Sequence, residues 1–323
     1  MLLRCYTTIN LKVKGFFMEL QIVRFIQGWS CKALDVIMGI INMFGEDLFF
    51  YMVFFALYWM YSKSFAFKYM FVYLTTCGFN KIFKTLVKRP RPAGSTESGY
   101  SFPSGHAMSY AGASTQLVYE LVRNGQPKKK WQKADMWIEY ILFGLLVALA
   151  RMYFGAHYLT DVIAGLILGA YIATSVTYIL NWLLEKIKGK INFEIVLAVL
   201  APIVLVAYIV VATTGIISTP DTLEKVYRFA GIFMAVAVGY FIDKKFIKYD
   251  AKDEPLKEKI VKVGVGLGLL TTFYILFLSQ KPVDFMLTIY YFATALVATT
   301  VFPWVFKTIN QKPEDVSGAK KDE

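Results

Sequence analysis

Two histidines are the only imidazole side chains in the 323-residue chain, and both stand beside other ionisable or polar residues. His157 comes six positions after Arg151 and four before Asp161, so His157 and Asp161 share one face of a predicted helix. A carboxylate at that spacing can fix the tautomer and the orientation of the ring, which leaves the other nitrogen free to attack. We therefore interpret His157 as a candidate nucleophile that Asp161 orients, although a static helix pair is an alternative.

The second histidine ends the sequence Pro103-Ser104-Gly105-His106, which opens a predicted helix. The free amides of the first turn point out of the positive end of the helix dipole, and such an end binds phosphate well. Gly105 lets the backbone approach an anion closely, while Ser104 caps the helix or donates its hydroxyl. Taken alone, the tetrapeptide fits a capped helix with an interfacial histidine equally well.

Three cationic side chains accompany these groups: Lys84, Arg91 and Arg151. Guanidinium groups match the oxygens of a phosphate dianion, and a lysine adds a point charge. Lys84 lies near the end of a predicted span, where a lysine often only extends to the lipid headgroups. The three cations together with a helix N-terminus nevertheless predict a phosphate site.

The elements that must position these residues are membrane helices. The chain is 57% hydrophobic and only 18% charged, which excludes an ordinary soluble enzyme. Its apolar residues form blocks of about 20, the length that a helix needs to cross the bilayer. We predict an all-α, polytopic membrane protein of about nine spans, at 47–62, 65–87, 103–122, 136–152, 158–182, 195–217, 227–243, 260–279 and 283–305.

The predicted organisation has four parts. They are an interfacial segment at 1–46, a catalytic core at 47–190, a four-span extension at 191–306 and a disordered cytoplasmic tail at 307–323. The extension contains no polar constellation like that of the core, and we assign it a structural or substrate-lining role. Translation starts at either Met1 or Met18.

Lysine and arginine accumulate in alternate loops, which predicts an external N-terminus and an internal C-terminus. This topology places all three polar stretches on the extracytoplasmic face of the cell membrane, or on the lumenal face of the endoplasmic reticulum if the protein is eukaryotic. The net charge of +12 is explained by these loops and by contacts with anionic lipid, so no nucleic acid is expected. The cysteines are too few and too scattered to predict a disulfide framework or a zinc site.

Lys84-x6-Arg91-Pro92, Pro103-Ser104-Gly105-His106 and Arg151-x5-His157-x3-Asp161 resemble the three signature motifs of the type 2 phosphatidic acid phosphatase superfamily. That superfamily includes lipid phosphate phosphatases, sphingosine phosphate phosphatases, glucose-6-phosphatase and vanadium haloperoxidases. The motifs occur in the family's order, and the resemblance covers residues 47–182. One departure is Ala150, where the family usually has serine, so one hydroxyl contact to phosphate or to a neighbouring residue is lost.

The resemblance implies a role for each motif residue. His157 attacks phosphorus to form a phosphohistidine, Asp161 orients it, and His106 protonates the leaving alcohol and later activates water. The phosphate oxygens are held by Lys84, Arg91, Ser104, the Gly105 amide and Arg151. No metal or other cofactor is required, because fixed cations stabilise the charge of phosphoryl transfer.

The position of the site near the headgroup plane favours a lipid phosphate as substrate: phosphatidic acid, a polyprenyl diphosphate or a sphingoid phosphate. Alternatives are a soluble phosphate ester, transfer of the phosphoryl group to another lipid and, more remotely, a transporter. A transporter would place its polar groups at the midplane of the bilayer between two repeated halves. The expected partners are the bilayer and the substrate lipid, with no obligatory protein partner.

Overall fold

The computed structural model describes residues 17–123, 129–187, 220–251, 254–278 and 284–310, with residues 202, 203, 206, 210 and 214 as isolated positions. All regular secondary structure in these ranges is helical, as predicted. The predicted span 195–217 lies almost entirely outside the described residues, and so does the predicted tail beyond residue 310.

Among the described residues, seven helices precede residue 188. They are α1 (17–27), α2 (Lys32–Met43), α3 (Asp47–Met60), α4 (Lys63–Val87), α5 (Gly105–Arg123), α6 (Lys130–Tyr153) and α7 (Leu159–Ile187). The predicted spans from 47–62 to 158–182 each correspond to one of these helices. Helices α6 and α7 are longer than their predicted spans, because a helix continues past the bilayer wherever its backbone hydrogen bonds continue.

Helices α1 and α2 form the segment that was predicted to lie in the interface. Several large apolar side chains of this segment are exposed, among them Phe25, Val36 and Ile40. The opposite side packs on the protein, and the Tyr153 hydroxyl donates a 2.6 Å hydrogen bond to Asp35. Helix α2 is also bent by 52° from α3, and the two together are long and apolar enough to form one broken span.

The described residues after 219 form α8 (Pro220–Ile242), a π-helical turn (Asp243–Ile247), α9 (Leu256–Leu278), α10 (Asp284–Thr299) and α11 (Val301–Asn310). Four helical stretches in the described part of the chain are long and apolar enough to cross a membrane, and the bent α2–α3 pair makes a fifth. The chain is thus a multi-pass membrane protein, but the predicted number of about nine spans is not confirmed.

The described residues divide into two compact units. The first unit comprises those of Met1–Tyr51, Lys68–Lys186 and Thr214–Asp221, and it contains every motif residue singled out in the sequence. The second comprises those of Met52–Phe67, Ile187–Thr213 and Thr222–Glu323. Inside the second unit, the buried Asp243 carboxylate lies 2.6 Å from Lys63 Nζ and accepts a 3.1 Å hydrogen bond from the Tyr58 hydroxyl.

Two short connections position the motif residues within the first unit. A loop at 88–104 joins α4 to α5, and the buried Asn80 side chain donates a 3.2 Å hydrogen bond to the Pro103 carbonyl at the end of this loop. A tight turn joins α6 to α7, and Gly155 in this turn has a positive φ of 63°. The chain thereby reverses direction between Arg151 and His157.

Candidate active site

The structure brings the three motifs together at one end of α4, α5, α6 and α7. The Ser104 amide donates a 2.9 Å hydrogen bond to the Asp161 carbonyl, which joins the start of α5 to the first turn of α7. Arg91 Nη1 donates to the Ala156 carbonyl at 2.9 Å, and Lys84 Nζ donates to the Tyr100 carbonyl at 2.9 Å. The loop and the turn are therefore tied to each other by side chains of the motifs.

His157 lies at the centre of this cluster and is only 1% exposed. Its Nε2 is 3.3 Å from Arg91 Nη1, so this nitrogen faces a guanidinium group. Burial, together with the positive charges of Lys84, Arg151 and Arg91, holds the pKa of His157 well below its usual range, against the opposing influence of Glu97. The imidazole is therefore neutral at pH 7, which is the form that a nucleophile needs.

Asp161 is fully buried in the first turn of α7, whereas His157 lies in the connection before that helix. The prediction that the two residues share one helix face is therefore wrong, because the helix begins only at Leu159. The distance from His157 Nδ1 to Asp161 Oδ2 is 3.6 Å, which is an ion-pair distance but too long for a hydrogen bond. Asp161 Oδ2 instead accepts a 2.9 Å hydrogen bond from the Tyr158 amide. The imidazole and the carboxylate are thus close to each other but not hydrogen-bonded. A decrease of about 0.5 Å in this distance would allow a hydrogen bond.

Arg89 is a partner of Asp161 that the motifs did not include. Its Nη1 lies 2.7 Å from Asp161 Oδ1, and its guanidinium group is 4.2 Å from the centre of the Tyr158 ring. Arg89 also pairs with Glu19 of α1, whose other carboxylate oxygen accepts a 2.8 Å hydrogen bond from Thr160. A buried carboxylate requires such compensation, and Arg89 supplies it.

Glu97, in the loop before α5, bridges two of the predicted phosphate-binding arginines. Its Oε2 lies 3.1 Å from Arg91 Nη1, and its Oε1 accepts a hydrogen bond from Arg151 Nη2. Burial opposes its ionisation, but Arg151 and Arg91 outweigh that effect and lower the pKa of Glu97 to about 2. The two guanidinium groups therefore already converge on one anionic group beside His157.

His106, in the first turn of α5, has its own carboxylate partner. His106 Nε2 is 2.9 Å from Glu46 Oε1. Nearby, Arg151 Nη1 donates a 2.7 Å hydrogen bond to Asn42 Oδ1. Both partners come from the segment around the junction of α2 and α3.

Ser104 and Gly105 occupy the helix N-terminus that was predicted to bind phosphate, since α5 begins at Gly105. Ser104 is completely buried, and its hydroxyl has no hydrogen-bond partner among the described residues. His157 Nδ1 and Arg151 Nε are also buried and have no hydrogen-bond partner among the described residues. Buried polar atoms are normally hydrogen-bonded, so three such atoms in one cluster are typical of a site that is completed by a ligand.

Five polar contacts of the site were not predicted: those of Glu19, Asn42, Glu46, Arg89 and Glu97. One signal was available, because Glu97 is the only acidic residue between Lys84 and His106. For the other four residues, nothing in the local sequence indicates their partners. In the part of the chain that the structure describes, no group of three His, Cys, Asp or Glu side chains is arranged to hold a metal ion.

Two protein-family models match the chain, and one of them covers all the motif residues of the site. The PAP2 superfamily model matches residues 65–185, and the model of the PAP2 superfamily phosphatase, transmembrane extension, matches residues 227–314. Phosphatidylglycerophosphatase B of Bacillus subtilis is 37% identical over 93 residues, which are 28% of this chain and 45% of that protein. Undecaprenyl-diphosphatase of Sulfolobus acidocaldarius is 38% identical over 96 residues, which are 29% of this chain and 38% of that protein.

The chain thus spans less than half the length of these two curated relatives. Among solved structures, the first transmembrane PAP2-type phosphatidylglycerolphosphate phosphatase from Bacillus subtilis is 25% identical, with a TM-score of 0.47. That match covers 51% of this chain and 86% of the other. The chain thus contains a PAP2 superfamily domain at residues 65–185 and the transmembrane extension of PAP2 superfamily phosphatases at residues 227–314.

Proposed function

We propose that the chain is an integral membrane phosphatase that hydrolyses a lipid phosphate or diphosphate through a phosphohistidine on His157. One observation carries the proposal: Arg91 and Arg151 both bind the Glu97 carboxylate, and Arg91 Nη1 lies 3.3 Å from His157 Nε2. An anion is therefore held next to the nitrogen that would attack phosphorus. Fixed cations in a buried site stabilise a phosphoryl group effectively, because they need no reorganisation during the reaction.

In the first step, the lone pair of His157 Nε2 forms a bond to phosphorus while the bond from phosphorus to the leaving oxygen breaks. His106 gives its proton to that oxygen, and Asp161 favours the proton on His157 Nδ1. The phosphate oxygens are held by Lys84, Arg91, Ser104, the Gly105 amide and Arg151. In the second step, His106 takes a proton from water, and the resulting hydroxide displaces His157 from phosphorus.

The substrate class follows from the membrane location and from the relatives. Two relatives are named for a phosphatidylglycerophosphate and for an undecaprenyl diphosphate, which are both lipids. The catalytic residues lie at helix ends, where a headgroup enters the site while the lipid tail stays in the bilayer. We propose that this end of the helices faces the extracytoplasmic side and that the reaction needs no metal, so activity persists in EDTA.

Trapping of the intermediate tests the nucleophile. His106→Ala, given a nitrophenyl phosphate whose leaving group needs little protonation, should accumulate a labelled phosphoenzyme because its second step is slow. His157→Ala should neither accumulate the label nor release phosphate. Labelling of the His157→Ala protein, or its full activity, would remove His157 from the mechanism. The chain has only two histidines, so these two variants suffice to assign the labelled residue.

A panel of substrates separates the alternatives. Phosphate release is measured with phosphatidic acid, a polyprenyl diphosphate, a sphingoid phosphate and a sugar phosphate, and His157→Ala serves as the blank. A preference for the sugar phosphate would favour a soluble ester as substrate. Disappearance of the lipid phosphate without phosphate release, with a new lipid phosphate as product, would indicate transfer to another lipid.

A further inference from the structure

The N-terminal segment at residues 17–46 lies outside the matched PAP2 domain, which begins at residue 65. Three of its polar side chains nevertheless contact residues of the site. Glu19 pairs with Arg89, Asn42 accepts from Arg151, and Glu46 contacts His106. The contact with His106 has direct consequences for catalysis, because His106 must hold and release a proton.

The backbone around Gly45 runs directly against the His106 side chain. A Cβ atom at Gly45 would lie 2.6 Å from His106 Cβ and 2.6 Å from Cδ2, closer than real side chains approach. Only glycine therefore fits between Phe44 and Glu46. The close approach places the next residue, Glu46, beside the edge of the imidazole ring.

Glu46 Oε1 is 2.9 Å from His106 Nε2, and the Asn42 side-chain amide donates a 3.4 Å hydrogen bond to the same carboxylate oxygen. The other charged groups that face the ring are Arg151 and Glu97. Burial and Arg151 disfavour a positive charge on His106, whereas the two carboxylates favour it. Since Glu97 is already bound to both Arg91 and Arg151, Glu46 is the carboxylate that contacts the imidazole directly.

We infer that Glu46 is a positioning residue that orients His106 and stabilises its charged form until the leaving group departs. The inference rests on the proposed function, in which His106 is the general acid. In the charged ring, Nε2–H remains bonded to Glu46, and the Nδ1 proton passes to the leaving oxygen as its bond to phosphorus breaks. Nδ1 then accepts a proton from water, which restores the charged ring for the next turnover.

The test compares leaving groups in the purified full-length protein. Glu46→Gln keeps the size of the side chain but removes its charge. On phosphatidic acid, whose leaving group is an alkoxide, we expect kcat to fall about 10- to 100-fold, as for loss of part of general acid catalysis. On 4-nitrophenyl phosphate, the expected fall is less than about threefold, because that leaving group needs little protonation. An equal loss on both substrates would overturn the inference.

A second comparison shows whether Glu46 acts through His106. In a His106→Asn background, Glu46→Gln should lower activity no further, because the group that it positions is already gone. A further drop on 4-nitrophenyl phosphate in that background would show an independent role and would contradict the inference. Gly45→Ala provides another variant, and it should show the same dependence on the leaving group because its Cβ displaces the ring.

Asp35→Asn is the matched control, since Asp35 lies on the same segment and holds Tyr153 rather than a site residue. It should change the two rates by less than about twofold and by the same factor. A leaving-group effect in Asp35→Asn equal to that in Glu46→Gln would attribute the effect to loosening of the segment and would overturn the inference. Absence of phosphate release from the wild-type protein would overturn the proposed function itself, and the inference with it.

Discussion

Glu97 shows most directly that the side chains of the site are arranged for an anion. Its carboxylate binds Arg91 and Arg151, the same guanidinium groups that are proposed to hold the substrate phosphate. A substrate must therefore displace Glu97 from at least part of these contacts. Glu97 is 38% exposed and lies on a loop, so its side chain has room to move.

Removal of the Glu97 charge should strengthen phosphate binding. For Glu97→Gln we expect the inhibition constant of inorganic phosphate to fall about two- to fivefold, the size of a partly exposed ion pair of about 0.5–1 kcal/mol. This constant is measured from the degree to which added inorganic phosphate inhibits hydrolysis of the lipid substrate. Glu139→Gln, an exposed position on α6, serves as the control and should change nothing. An unchanged or higher constant in Glu97→Gln would show that the carboxylate does not compete with phosphate.

The protonation state of His157 is a second property at the residue scale. Burial and the neighbouring cations lower its pKa, so the ring should remain neutral at pH values where a free histidine, with a pKa of about 6.5, becomes charged. NMR of histidine-labelled protein in detergent measures this, and His106→Asn assigns the two ring signals. Glu97→Gln should lower the pKa of His157 further, and Lys84→Met should raise it. Titration of His157 at or above pH 6.5 would contradict the depressed pKa.

At the scale of the helices, the sequence predicts the site because each motif sits at an element end. The turn at Gly155 brings Arg151 and His157 together, but His157 lies before α7 and does not share a helix face with Asp161 as the spacing predicts. The hydrogen bond between the Ser104 amide and the Asp161 carbonyl joins two motifs that are far apart in sequence. The sequence does not reveal this contact, because it depends on how α5 packs against α7.

The turn between α6 and α7 requires glycine at position 155, since its φ is 63°. Gly155→Ala should therefore cost about 1–2 kcal/mol of stability and shift Arg151 relative to His157. We expect kcat/KM to fall at least about tenfold, because small displacements of positioning groups have large effects on rate. Thermal unfolding and phosphate release are both measured. Gly39→Ala is the control, because Gly39 is helical with no atom within 4 Å of an added Cβ, and its stability should be equal or slightly higher.

The N-terminal segment shows where prediction from the sequence ends. Its amphipathic pattern predicts helices that lie in the interface, and the structure has the helices α1 and α2 in this segment. The pattern does not indicate that Glu19, Asn42 and Glu46 contact site residues, since each partner is at least 60 positions away in the sequence. Long-range polar contacts of this kind have no local signature in hydropathy or spacing.

At the scale of the whole molecule, the proposed orientation is testable by labelling. In a variant without the native cysteines, Thr96→Cys lies in the exposed loop before α5, and Lys129→Cys lies at the other end of α5 and α6. A membrane-impermeant maleimide added to intact cells should label Thr96→Cys, whereas Lys129→Cys should react only after permeabilisation. The reverse result would place the site on the cytoplasmic face.

The bridge formed by Glu97 makes substrate entry an exchange of ions rather than the filling of a bare cationic pocket. In the resting protein, the carboxylate already screens the repulsion between two guanidinium groups, so the pocket tolerates its dense positive charge between turnovers. The measured affinity for phosphate then reports the difference in binding free energy between phosphate and the Glu97 carboxylate, because both compete for the same two guanidinium groups. Weak binding of inorganic phosphate would therefore not indicate how tightly the site holds the phosphoryl group during its transfer.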